Sequence, residues 1–221
     1  MRMGELSHRS GVPIPTIRFY LREGLLAAGE LTSPNQGSYG EDHVRRLKLI
    51  RALVEIGGLS VAKARAVLDH LGSSGADELG VLGTVQFALA ARRESEPDEA
   101  SQLAASDVRR LMARHGWDNC ADNPATADLI DVVAVLHRLG QHDVLALLDG
   151  YARAARALAE SEVELVDNRT ALEDRAEGVV VISVLGDALL AALRRLAQET
   201  LMVRRLGRRN GTVTAASKAP G

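Results

Sequence analysis

The chain has a single cysteine, Cys120, so no intramolecular disulfide framework is available to it, and the usage fits a reducing cytoplasm. Aromatic residues make up only 3% of the 221 residues, so any core must be built from Leu, Val, Ile and Ala, a bias that favours helices over aromatic-rich sheets. No basic stretch followed by an apolar run opens the sequence, and no secretory signal is expected. The most apolar stretch, Val179 to Leu193, is interrupted by Asp187 and is short for a bilayer span. No Ser/His/Asp arrangement, paired-carboxylate site, phosphate loop or metal motif stands out, so neither an enzyme nor a cofactor or metal is expected. What remains is a soluble cytoplasmic protein with no membrane partner.

Charge is unevenly placed. Residues 1–70 carry ten Lys/Arg against seven Asp/Glu, whereas the rest carries seventeen against twenty-two, within a net charge of −2. A mildly basic head on an acidic body is consistent with one DNA-facing domain.

The head divides into short elements. Met3 to Ser10 reads as a helix stopped by Gly11, and Val12-Pro13 makes a tight turn into a second helix from about Ile14 to Glu23. Two short helices joined so tightly form a helix-turn-helix. Leu25 to Tyr39 holds the turn cluster Ser33-Pro34-Asn35-Gln36-Gly37 and reads as a hairpin or wing. Glu41-Asp42 open a third helix that ends at Gly57-Gly58, and Ser60 caps a fourth with Val61, Ala64, Leu68 and Leu71 inward.

Gly72-Ser73-Ser74-Gly75 is a plausible junction, and every later signal is helical. Helices are expected over about Asp77–Arg93, Asp98–His115 after a break at Pro97, Asn123-Pro124 to near Gly140, and His142–Asp167. Thr170-Ala171-Leu172-Glu173 has capping-box spacing before a long apolar helix. Along it Ile182, Gly186, Leu189, Leu193, Leu196, Thr200 and Val203 alternate in steps of four and three. Such a seam packs either within its own chain or against a second copy, where Gly186 would allow close approach. The expected division is a domain at 1–71, an all-helical one at 77–206, and a disordered tail at 207–221.

In the second helix, Ile17 and Leu21 form an inward row, Thr16 and Tyr20 a second, Arg18 and Arg22 a third, since residues four apart share a face. Arginine binds a phosphate or the O6/N7 edge of guanine with two hydrogen bonds, and hydroxyls commonly anchor phosphates. An outward face of this kind suits the major groove.

The order Gly11-Val12, Thr16-Ile17-Arg18-Phe19-Tyr20, Glu23-Gly24-Leu25-Leu26, Tyr39, His43-Val44-Arg45-Arg46-Leu47 and Gly57-Gly58-Leu59-Ser60 resembles the MerR family of bacterial transcription regulators over about the first 71 residues. That resemblance implies a mainly α protein, with a winged helix-turn-helix and a small β wing followed by a helical dimerisation and effector domain. It implies DNA contacts from Thr16, Arg18, Phe19, Tyr20 and Arg22 on the recognition helix and from Asn35, Gln36 and Tyr39 on the wing. His43, Arg45 and Arg46 would reach nearby phosphates. It further implies a homodimer, with Ile182, Gly186, Leu189, Leu193 and Leu196 as candidate contacts, bound to double-stranded promoter DNA on the nucleoid. Such a dimer distorts the spacer between promoter hexamers and so acts on RNA polymerase indirectly. Two departures stand out. Pro13 replaces the usual capping Ser or Thr, and the wing lacks the Gly-Tyr-Arg-x-Tyr run of many members.

The helical body says less. Cys120 with His115 five residues before it is too sparse for a closed metal site. Trp117 either stacks on an organic small-molecule effector or anchors a loop to the helical core. The functional alternative is an effector-independent DNA-binding repressor or architectural protein.

Overall fold

The structure, a computed structural model, describes residues 1–33, 36–73, 77–90, 98–117 and 122–216, without the side chains of 31–36 and 208–216. Asn35, Pro97 and Cys120 therefore lie outside the described residues, as does the side chain of Gln36.

Helix α1 (Met3–Ser10) ends where Gly11 turns left-handed, at φ 70°, a conformation that favours glycine. Helix α2 (Ile14–Arg22) follows with Pro13 as an extended N-cap that supplies no side-chain hydrogen bond. The turn is held from α1 instead. Ser7 Oγ donates to the Val12 carbonyl oxygen at 2.7 Å, and Ser10 Oγ accepts the Val12 N–H at 3.3 Å. These hydroxyls order the turn that a capping side chain would otherwise help to fix.

The wing pairs β1 (Glu30–Ser33) with β2 (Gln36–Ser38) antiparallel, Leu31 opposite Gly37, with an irregularity between Leu31 and Ser33. Beyond it, Met1 and Tyr39 exchange both backbone hydrogen bonds, which sets the chain start against the base of the wing. The Tyr39 side chain lies over Gly29 and Gly37, where a Cβ would stand 3.0 Å from the ring and 3.3 Å from the hydroxyl oxygen.

Helix α3 (Glu41–Arg51) runs into a π-helical turn at Ala52–Ile56, and Gly58 then turns left-handed. Helix α4 (Val61–Leu71) is capped by Ser60, whose hydroxyl accepts the Lys63 N–H. Helix α5 (Glu78–Leu89) is capped by Asp77 and ends short of the expected Arg93.

The first core does not stop at the expected junction. Leu6, Ile17, Leu25, Leu47, Ile50, Leu53 and Leu68 pack with Val81 and Val85 of α5, and with Ala176, Val180 and Val184 of the long last helix α10 (Leu172–Ala216). One apolar cluster thus spans both expected domains. Free-standing helices as short as these are marginal, so burial of shared faces stabilises them.

A second cluster joins α6 (Glu99–His115) and α7 (Pro124–Arg138) through Ala104, Val108, Met112, Val133 and Ala134. Asn123 caps α7 with Pro124 in its first turn, as the sequence predicts. The expected helix His142–Asp167 is divided into α8 (His142–Leu145) and α9 (Leu148–Asp167). Leu145 and Leu148, on either side of the break, both pack on the second cluster. Helix α10 starts as expected but continues to Ala216, into the stretch expected to be a disordered tail. At 45 residues it is roughly 68 Å long. Over Leu172–Gly207 it is long and apolar enough to cross a membrane by length and composition, longer than the apolar stretch evident in the sequence.

Candidate nucleic-acid interface and a cavity beside the long helix

Three rows on α2 meet different surroundings. Ile17 and Tyr20 are buried and Leu21 packs partly against the same core, so the inward stripe follows steps of three and four. Tyr20, expected on the DNA face, is 5% exposed, and this corrects its assignment. Its phenol lies near Arg51 and Glu55, and burial pushes its pKa upward. Helix α2 packs on more than one neighbour, so two adjacent rows turn inward rather than one.

Arg18 and Arg22 remain exposed, one turn apart on the opposite side, with Thr16 and Phe19 half-buried beside them. The Arg22 guanidinium stands 5.6 Å from the centre of the Phe19 ring, a cation–π approach that orients it. Its Nε is 4.0 Å from Glu23, at the edge of an ion pair. Arg18 has no ion-pair partner among the described residues. Both charges are thus available to an anion outside.

The other expected contacts whose side chains are described, Tyr39, His43, Arg45 and Arg46, have partners within the chain. Tyr39 is buried and meets His43 edge-on with ring centres 5.2 Å apart. His43 Nδ1 accepts the Gly40 N–H at 3.1 Å, so the histidine caps α3, and its Nε2 is occluded. Arg45 forms ion pairs with Asp174 at 3.0 Å and Glu177 at 2.7 Å, both on α10. Arg46 donates to the carbonyl oxygens of Leu25 at 3.0 Å and Leu68 at 3.2 Å, tying the end of α2 to α4. Arg46 fastens the domain from a half-buried position, whereas Arg45 stays exposed while it pairs with α10. Arg2, outside every motif in the sequence, is exposed beside the base of the wing, because Met1 pairs with Tyr39. That pairing is long-range and has no local sequence signal.

The long seam also divides. Ile182 and Gly186 are partly buried within the chain, Ile182 in a cavity wall and Gly186 against Glu162. Leu189, Leu193 and Leu196 are each more than 60% exposed, and Leu201, Met202, Val203 and Leu206 continue the apolar surface. Trp117 packs on the α6–α7 cluster, its backbone N–H bonded to the Met112 carbonyl oxygen and its ring 5.2 Å from that of His115. It is a loop anchor and does not line the cavity.

That cavity, of about 730 Å³, lies among α5, α7, α9 and α10. Leu79, Leu82, Leu89, Val163, Val166, Val179 and Ile182 supply apolar walls, and Glu162 and Asp187 sit on facing helices. Partial burial, aided by Asp187, raises the Glu162 pKa, and partial burial raises that of Asp187. Arg175 Nε lies 2.7 Å from Glu78 and its Nη2 3.4 Å from Asp167. The Glu78 contact is held by charge, not by an aligned hydrogen bond. Among the described residues, no three His, Cys, Asp or Glu come together to hold a metal ion.

A short helix with exposed arginines, set on a three-helix support beside a two-stranded wing, defines a winged helix-turn-helix DNA-binding protein. Residues 1–71 match the model of the MerR HTH family regulatory proteins. Over 68 residues the chain is 38% identical to the nodulation protein NolA of Bradyrhizobium sp. (strain NC92), a match covering 31% of this chain and 28% of that protein. Over 50 residues it is 38% identical to the HTH-type transcriptional regulator ZntR homolog of Haemophilus influenzae, covering 23% of this chain and 37% of that one. The chain thus spans little more than a quarter to a third of the length of these curated relatives. A solved structure, of the "putative transcriptional regulator SCO5550" from Streptomyces coelicolor A3(2), aligns with a TM-score of 0.67 at 34% identity, over 94% of this chain and 98% of that one. The chain belongs to the MerR family, and it is a DNA-binding transcription regulator.

Proposed function

We propose that two copies of the chain, paired through α10, bind a pseudo-palindromic promoter site with α2 in the major groove and the wing on the flanking backbone. The observation that carries this reading is the pair Arg18 and Arg22, exposed one turn apart on the side of α2 away from its core. Arginines so placed reach base edges or phosphates with two hydrogen bonds each. Arg2, beside the wing, is a further phosphate contact. Support for pairing comes from the leucines of α10 beyond residue 188, an apolar surface that a single chain leaves in water.

The dimer distorts the spacer and so acts on RNA polymerase indirectly, in the cytoplasm. Bending a site of this size costs on the order of 1–6 kcal/mol, which phosphate contacts from two subunits offset. An organic small molecule biases the dimer geometry and acts only through its differential affinity for the two states. The cavity supports this effector reading over an effector-independent repressor, because its volume falls within the range of small-molecule sites.

The test selects operators from a random duplex library with the full chain and measures affinity against salt. Arg18→Ala should weaken binding by about 1–3 kcal/mol if it reads a guanine. Unaltered binding by the Arg18→Ala/Arg22→Ala variant would remove the recognition surface proposed here.

A further inference from the structure

We propose that Phe19 is a positioning residue for DNA binding: its ring holds the Arg22 guanidinium, whose N–H groups then take a backbone phosphate at the far end of α2. This rests on the placement of α2 in the major groove proposed above. It adds a division of labour between the two exposed arginines.

The ring is itself fixed. Phe19 is half-buried, packs partly against the first core and meets the ring of the buried Tyr20 with centres 5.8 Å apart. Three residues on, and so on the same side of the helix, the Arg22 guanidinium stands 5.6 Å from the Phe19 ring centre. That lies within the roughly 6 Å over which an aromatic face attracts a cation. The turn between them is closed by the Glu23 N–H on the Phe19 carbonyl oxygen at 2.9 Å. Arg65 in turn donates to the Glu23 carbonyl oxygen at 2.9 Å. Ring, guanidinium and helix end form one braced unit.

This contact leaves the donors of Arg22 unspent. An aromatic face attracts the charge but offers no lone pair to accept the N–H groups. Glu23 Oε1, 4.0 Å from Arg22 Nε, is beyond hydrogen-bond reach. The Arg22 side chain is 73% exposed, so its donors face an outside anion. A long side chain loses rotamer freedom when it binds, and one already held loses less.

Position assigns the phosphate. Arg22 is the last residue of α2, roughly 6 Å along the axis beyond Arg18. In a helix-turn-helix the N-terminal part of the recognition helix reads base edges, while phosphate contacts fix its register. Arg18 has neither a ring nor an ion-pair partner among the described residues and adapts to a base edge. Arg22, already oriented, suits a phosphate, whose chemistry is the same at every step of the duplex.

The experiment replaces Phe19 in the full chain by mono-, di- and trifluorinated phenylalanine, which keep the shape of the ring and progressively weaken its attraction for a cation. Affinity is read by anisotropy on a labelled duplex selected from the random library above, and on copies of it altered at single base pairs. Each added fluorine should weaken binding, by about two- to fivefold over the series, the range of an exposed cation–π contact. The factor should be the same on every duplex, with the salt slope unchanged. Arg22→Ala should lower the salt slope by about one and flatten the series. A flat series with Arg22→Ala still harmful would overturn the role of Phe19 alone. A series that persists in Arg22→Ala would give the ring some other partner and overturn it too. Losses confined to duplexes altered at one base pair would make Arg22 a base reader and remove the phosphate assignment. Arg22→Ala without any effect would instead sink its place in the recognition surface, and this inference with it.

Discussion

Gly57 and Val184 meet without room for a methyl group. A Cβ at Gly57 would overlap Val184 Cγ1 and stand 2.8 Å from the Leu53 carbonyl oxygen. The π-helical turn before Gly57 thus ends in a notch into which α10 fits, and the helix that bears the apolar seam is keyed to the DNA-binding domain at this point.

From this fit, Gly57→Ala should destabilise the protein by roughly 1–3 kcal/mol, as overpacking does. Val184→Ala should be destabilising alone and should recover part of that loss in combination. Thermal unfolding of the four members of the cycle measures the coupling, and strict additivity would mean the two sites do not share the notch.

Tyr20 separates stability from recognition. Tyr20→Ala should cost about 3–5 kcal/mol of stability, as loss of a buried aromatic does, whereas Tyr20→Phe should leave operator affinity close to that of the parent. If Tyr20→Phe weakened DNA binding as much as Arg18→Ala, the phenol would have to face the duplex.

Arg46→Ala should behave as a stability variant. It leaves the Leu25 and Leu68 carbonyl oxygens without their guanidinium donor, a loss of about 1–3 kcal/mol. The salt slope of DNA binding, measured on the folded variant, should stay at the parent value, because no phosphate contact has gone. A slope reduced by about one would return Arg46 to the interface.

Asp98 gives the body a pH signature. Its carboxylate caps α6 and receives Arg138 at 2.9 Å and 3.0 Å, and the arginine, then Ser101, hold its pKa well below the usual carboxylate range. A depressed carboxylate contributes stability above its unfolded-state value of about 4 and loses it as pH falls through the lower folded value. Asp98→Asn keeps a capping oxygen but not the charge. Its melting-temperature deficit should be constant at neutral pH and shrink on strong acidification. A deficit that persists unchanged in acid would show that the pair contributes nothing through charge.

Leu189→Glu combined with Leu193→Glu should abolish pairing in sedimentation experiments while sparing the helicity of the single chain, since both side chains are already in water there. Dimers that survive would move the interface elsewhere on the body.

Much was legible in the sequence wherever local chemistry decides. The bounds of α1, the Ser60 cap of α4, the wing and the Asn123-Pro124 start of α7 all follow from glycine, proline and capping side chains, whose preferences act within a few residues. Family membership was legible too, because it rests on residue order. Only the tertiary structure decided which faces turn inward. It buried Tyr20, drew Arg46 into the fold, joined the exposed Arg45 to α10 by ion pairs, split the seam of α10 between a cavity wall and open surface, and extended one core across the expected junction. A helical period states that a stripe exists. Whether that stripe meets a neighbour depends on contacts between residues more than a hundred positions apart, such as Arg45 with Glu177, and no local pattern encodes those.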